Sequence, residues 1–172
     1  MTLLRSGAAA LVLAALATQP AAAACVAVKS LTFDGFRSGG ASAPEKTTYA
    51  VGDLAVLCIS VEQDYFISVW DTAPDGQQEQ LYPNVRSHPG NVPKGELFPA
   101  GSQKCIGHEQ FTIFMDEKEG AGVGKFAVHA TATLADQEEE LGTNLFARLT
   151  PSLRAVGACR PDEWDYFEYT VE

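Results

Sequence analysis

The chain has 172 residues, 46% of them hydrophobic, and 12 basic against 22 acidic side chains give it a formal net charge of −10. A surface of that sign repels phosphates, which excludes nucleic acid and anionic lipid surfaces as natural partners. The length suits one domain with a real hydrophobic core.

Arg5 precedes an apolar run from Ala8 to Ala17, followed by Gln19-Pro20 and then Ala21 to Ala24. A charged start, a short apolar core and a small-residue cleavage zone are the layout of a secretory signal peptide, too short for a comfortable membrane span. Residues 1–24 are therefore expected to be a signal peptide and residues 25–172 a single exported domain, periplasmic or secreted. Its 148 residues carry 11 basic and 22 acidic side chains, a net charge of −11. No later run approaches membrane-spanning length.

Cys25, Cys58, Cys105 and Cys159 form an even set, which in an exported chain predicts two disulfides. Three pairings are open. Cys25 with Cys159 and Cys58 with Cys105 is the preferred one, because the first bond would tie the ends of the domain together. Ala22-Ala23-Ala24-Cys25 also loosely resembles a bacterial lipobox, with Ala22 where a large aliphatic residue is usual. The alternative is then a lipid-anchored envelope assembly component acylated on Cys25.

The elements that follow read as strands and turns. Val26, Val28, Leu31 and Phe33 lie in an extended segment ended by Asp34-Gly35, and Ser38 to Pro44 is a loop by composition. Leu54 to Val61 alternates, with Ala55, Leu57, Ile59 and Val61 on one face. Tyr65 to Trp70 is aromatic and β-branched. Pro74-Asp75-Gly76 is a turn, since proline presets its φ, aspartate bonds locally and glycine accepts positive φ. Gln78 to Tyr82 returns as the partner strand and is stopped by Pro83. Asn84 to Pro93 is a surface loop, and Leu97-Phe98 is a brief extended piece before Pro99-Ala100-Gly101. Phe111 to Met115 and Val123 to Thr133 are strands, with a charged turn at Asp116 to Gly120 between them. Leu141, Leu145, Phe146 and Leu149 have helical spacing, which predicts a short helix at Asn144 to Leu149 between Thr143 and Pro151. Tyr166 to Val171 is a last strand. About eight short strands separated by turns indicate a mostly β, two-sheet sandwich with a short helix in the C-terminal region.

The ordered set Tyr49-Ala50-Val51-Gly52-Asp53, Asp64 to Trp70, Asp75-Gly76, Leu81-Tyr82-Pro83-Asn84 and Phe98-Pro99-Ala100-Gly101 resembles the bacterial family called domain of unknown function 4384. The resemblance covers roughly Thr47 to Thr133. It implies an immunoglobulin-like β-sandwich in an envelope setting and an accessory role, and it transfers no catalytic residues. The four cysteines and the part from Ala135 onward depart from the family's usual pattern.

For chemistry, the sequence offers little. His88 sits in a Pro-Gly loop and His129 in a strand, and no nucleophile elbow accompanies them. Cys105-Ile106-Gly107-His108 has chelating spacing, yet zinc needs about four ligands, and oxidised cysteine cannot serve. The acidic runs at 116–119 and 136–140 lack the spaced oxygens of a calcium loop. The leading expectation is a non-enzymatic binding domain, without metal or cofactor, that engages an envelope protein or cell-wall component. Its expected contact surface is the loop Val85 to Gly101 or a sheet edge, with Tyr82, Arg86, His88 and Phe98 as candidate binding residues. The alternative is a metal-assisted hydrolase using His88, Cys105 and His108.

Overall fold

A computed structural model of the protein describes residues 25–115, 121–134, 159 and 162–172. The expected signal peptide, the charged turn at 116–120 and the expected helix at 144–149 lie outside the described residues.

The architecture is a two-sheet β-sandwich. In the smaller sheet, β3 (Leu54–Val61) pairs with β1 (Val26–Thr32) on one side. On its other side it pairs with β7 (Gln103–Ile106) and β8 (Ile113–Phe114). The larger sheet runs β2 (Thr48–Tyr49), β10 (Asp162–Val171), β9 (Gly122–Thr131), β4 (Tyr65–Thr72) and β5 (Gln78–Tyr82), and β6 (Glu96–Phe98) also pairs with β4. All pairs are antiparallel except β2 with β10.

The alternation in β3 works on both faces. Ala55, Leu57, Ile59 and Val61 enter the main core between the sheets, where they meet Tyr65, Ile67 and Val69 of β4 and Phe126 and Val128 of β9. Val56 and Cys58 point the other way and are buried in a second apolar cluster with Leu31 and Ala43. That outer cluster is roofed by a helix where the sequence suggests only a turn and a loop. Phe33–Gly39 is α1, followed by one tight 3-10 turn at Gly40–Ser42. The local chemistry explains the difference. Thr32 Oγ1 accepts the Gly35 N–H at 3.0 Å as the N-cap, Asp34 occupies the first turn, and Gly40 ends the helix at a φ of 56°. Phe33 and Phe36 then cover the outer face of β3. The helix seen among the described residues thus follows β1, early in the chain.

The β4–β5 hairpin forms as expected. Asp75 Oδ1 accepts the Gln77 N–H at 2.9 Å, and Gly76 takes a φ of 89°. The register passes from Val69 opposite Tyr82 to Trp70 opposite Gln80, which leaves Leu81 as an extra residue. Such a bulge turns two successive side chains toward one face, and both Leu81 and Tyr82 are buried in the main core. Asn84 has no positive φ. Its role after the cis Tyr82–Pro83 bond is to cap the next turn with its side chain, described below.

Both bonds of the preferred cysteine pairing are present. Cys58–Cys105 staples directly opposed residues of β3 and β7. Cys25–Cys159 ties the residue before β1 to the approach to β10. The Cys25 sulfur is therefore committed to Cys159, which leaves no thiol there for a lipid. Two disulfides belong to a fold completed outside the reducing cytoplasm. Among the described residues, no helix is long and apolar enough to cross a membrane.

Candidate functional site

The loop between β5 and β6 is held by two sets of interactions, one inside the loop and one beneath it. Inside it, Asn84 Oδ1 accepts the backbone N–H groups of Arg86 (3.0 Å) and Ser87 (2.9 Å). Asn84 N–H donates to Ser87 Oγ at 2.9 Å, and Asn84 C=O accepts the His88 N–H at 2.8 Å. The Asn84 amide donates to Leu81 C=O, which locks this turn to the end of β5. An asparagine that satisfies three backbone groups makes a stiff knot of residues 84–88.

Beneath the loop, a polar cluster bridges the two sheets. The Tyr82 hydroxyl on β5 donates to Glu96 Oε2 on β6, and Lys104 on β7 donates to the same hydroxyl. Lys104 Nζ also donates to Glu96 Oε1 at 2.7 Å, and His88 Nε2 lies 3.3 Å from Glu96 Oε2. Ser87 Oγ is 3.0 Å from the other imidazole nitrogen. Phe98 and Phe111 flank the Tyr82 ring at centroid distances of 6.3 and 6.4 Å, and the Lys104 ammonium lies over the Tyr82 and Phe98 rings.

The electrostatics of the cluster are those of an anchor. Burial pushes the Tyr82 phenol far above its ordinary range, and its hydrogen bond to the Glu96 carboxylate pushes the same way. Burial alone would raise the Glu96 carboxyl. Hydrogen bonds from Lys104 and Tyr82, with the charges of Lys104 and His88, more than offset that and hold it below its ordinary value. A phenol that keeps its proton is no nucleophile, and a carboxylate already engaged by three donors is a poor general base.

The four expected binding residues divide accordingly. Tyr82, His88 and Phe98 meet in this cluster, but Tyr82 and Phe98 are each only 1% exposed and act from beneath. Arg86 stands on the knot above them and lines an open groove of about 490 Å³. The groove is lined by Glu79, Gln80 and Leu81 of β5, by Pro83, Val85 and Val92 of the loop that follows, and by Phe111 and Thr112 before β8. Val85 is 69% exposed.

The sequence reading missed Glu96 and Lys104. They lie on strands of different sheets and are joined only where β6 and β7 meet at one seam. The one available signal was the isolated glutamate beside Leu97-Phe98.

The alternative ligand set is not assembled. Cys105 is spent in its disulfide, and His108 Nε2 lies 3.0 Å from the Cys105 carbonyl while its ring packs on Phe36 of α1. His88 is engaged with Glu96 instead. Among the described residues, one group of three such donors lies close together, Cys25, Glu62 and Cys159, and both cysteines there are oxidised.

No family model matches the chain, and no curated protein matches it. Among solved structures, it is similar to a family 123 glycoside hydrolase from Clostridium perfringens, studied for glycolipid glycan hydrolysis, with a TM-score of 0.30 and 8% identity. The match covers 86% of this chain but only 27% of that one. A likeness of that degree bears on neither activity nor substrate.

Proposed function

We propose that the protein is an exported, non-enzymatic binding domain, periplasmic or secreted, whose β5–β6 loop engages an envelope protein or cell-wall component. One observation carries this reading. The exposed residues of the loop stand on a stiff knot, over a charge-neutralised network whose groups are all engaged with one another. A site built for general acid–base chemistry needs a group poised to exchange a proton with substrate. Here the ionisable groups hold a loop in place, which suits recognition by a preformed surface. The resemblance to domain of unknown function 4384 implies the same accessory role.

The test is photo-crosslinking in intact cells, from a reactive residue placed at Val85, with Arg37 on the outer helix α1 as control. A discrete adduct from Val85 that Arg37 does not give, lost on Arg86→Ala, is the expected result. No adduct from Val85, or the same adducts from both positions, refutes the loop as the contact surface.

A further inference from the structure

Two of the outer strands, β1 and β5, differ in how their edges are protected. The open side of β1 is occupied by the chain's own groups. Lys46 N–H donates to Ser30 C=O at 2.9 Å, and Val28 N–H donates to Asp165 Oδ2 of β10 at 2.9 Å. Lys29 Nζ reaches the carbonyls of Ala41 and Ala43 along the same flank. The opposite flank is different. β5 is the outer strand of the larger sheet, and among the described residues no strand lies beyond it. An unpaired strand edge is a template for another extended chain.

Beside that edge lies the groove. Its floor is apolar, with Leu81 and Phe111 exposed by only 8% and 9%. In its lining, the knot at 84–88 fixes the backbone of Arg86. Among the described residues, the Arg86 guanidinium has no hydrogen-bond or ion-pair partner, although the chain carries nearly two acids for each base. Glu79, toward the start of β5, has no ion-pair partner among them either. The groove therefore offers an apolar floor with one charge of each sign, Glu79 on β5 and Arg86 on the adjoining loop.

We propose that this groove takes an extended segment of a partner protein, added beside β5 as a further strand, with apolar side chains on Leu81 and Phe111 and a carboxylate against Arg86. The inference rests on the binding reading above and names the chemistry of its partner. The bulge at Leu81 ends regular pairing, so main-chain hydrogen bonds come from residues 78–80, a span of about 10 Å. From Leu81 onward the contacts are side-chain ones. Main-chain bonds supply affinity that is blind to sequence, and the apolar floor and Arg86 supply the selection. Alternation in the added strand sends every second side chain to the floor.

The experiment pans the disulfide-bonded domain against a random peptide library of about twelve residues and follows the enriched peptides by NMR on the full domain. Enriched sequences should alternate apolar and polar residues and carry an aspartate or glutamate at a fixed position. Their binding should slow amide exchange at residues 78–80. Arg86→Glu should weaken binding about tenfold, and replacing the peptide acid with lysine should restore it. Thr112→Trp, at an exposed position on the groove wall, should abolish binding by filling the groove. Circular dichroism and thiol titration show whether each variant keeps its fold. The proposal is overturned if no peptide is enriched, or if the enriched peptides bind both variants as well as the parent. It is also overturned if fragments of cell-wall glycan, and not peptides, perturb residues 78–80. A Val85 crosslink in cells without any peptide binding at β5 leaves the loop as a contact surface and removes only the added strand.

Discussion

Replacing Glu96 with alanine removes the acceptor at the centre of the loop anchor, and the cost follows from what is left behind. The Tyr82 hydroxyl, on a side chain 1% exposed, loses the acceptor for its proton, which costs about 1–2 kcal/mol. Lys104 and Glu96 are 44% and 29% exposed, so solvent screening leaves their ion pair about 0.5 kcal/mol. The variant should therefore be about 2 kcal/mol less stable near neutral pH. Glu96→Gln, which keeps an acceptor for Tyr82 and loses the charge, should cost less than half of that. The pH dependence has a definite sign. The folded environment holds the Glu96 carboxyl below its ordinary value of 4.5, so its contribution is complete above that value. It is lost as pH falls through the lowered folded value, and the gap between parent and alanine variant should narrow in acid. Urea unfolding followed by the fluorescence of Trp70 and Trp164, at about pH 7 and about pH 3, reads this gap directly. A difference under about 0.5 kcal/mol at neutral pH, or one that widens on acidification, refutes the anchoring argument.

Three further outcomes follow from the packing. Removing the Cys25–Cys159 bond by double alanine replacement should cost about 5 kcal/mol and removing Cys58–Cys105 about 4 kcal/mol, because the closed loops span 134 and 47 residues; urea melts of the two variants should preserve that order. Gly124→Ala places a methyl group 2.3 Å from Tyr169 Cζ, against a ring that stacks on Phe126 and whose hydroxyl donates to Asp71 Oδ1 at 3.0 Å. Overpacking with loss of that buried bond should cost about 2–4 kcal/mol, and a variant with an unchanged melting midpoint contradicts the close approach. Asp165→Ala uncovers the Val28 N–H on β1 at a cost of about 1 kcal/mol, and hydrogen exchange at Val28 should quicken while that at Leu57 in the centre of β3 stays slow.

The fold class and most of the strands were legible in the order of residues alone, because they depend on short-range alternation and turn chemistry. The period-two pattern of Leu54–Val61 and the Pro74-Asp75-Gly76 turn required no distant partner to be legible. The helix α1 escaped because its apolar residues are few, and its caps, Thr32 and Gly40, resemble ordinary turn residues until the outer face of β3 needs covering. Strand β7 escaped because Gln103-Lys104-Cys105-Ile106 lies at an edge and shows little alternation. The site, by contrast, came into view with the packed sheets. Tyr82, Glu96, Lys104 and His88 come from two sheets and a loop, and no spacing along the chain encodes a contact made where two sheets meet. The same holds for the exposure of their neighbours. Composition marked Tyr82 and Phe98 as aromatic flanks of a loop, and sheet packing put them under it, leaving Arg86 and Val85 to face the solvent.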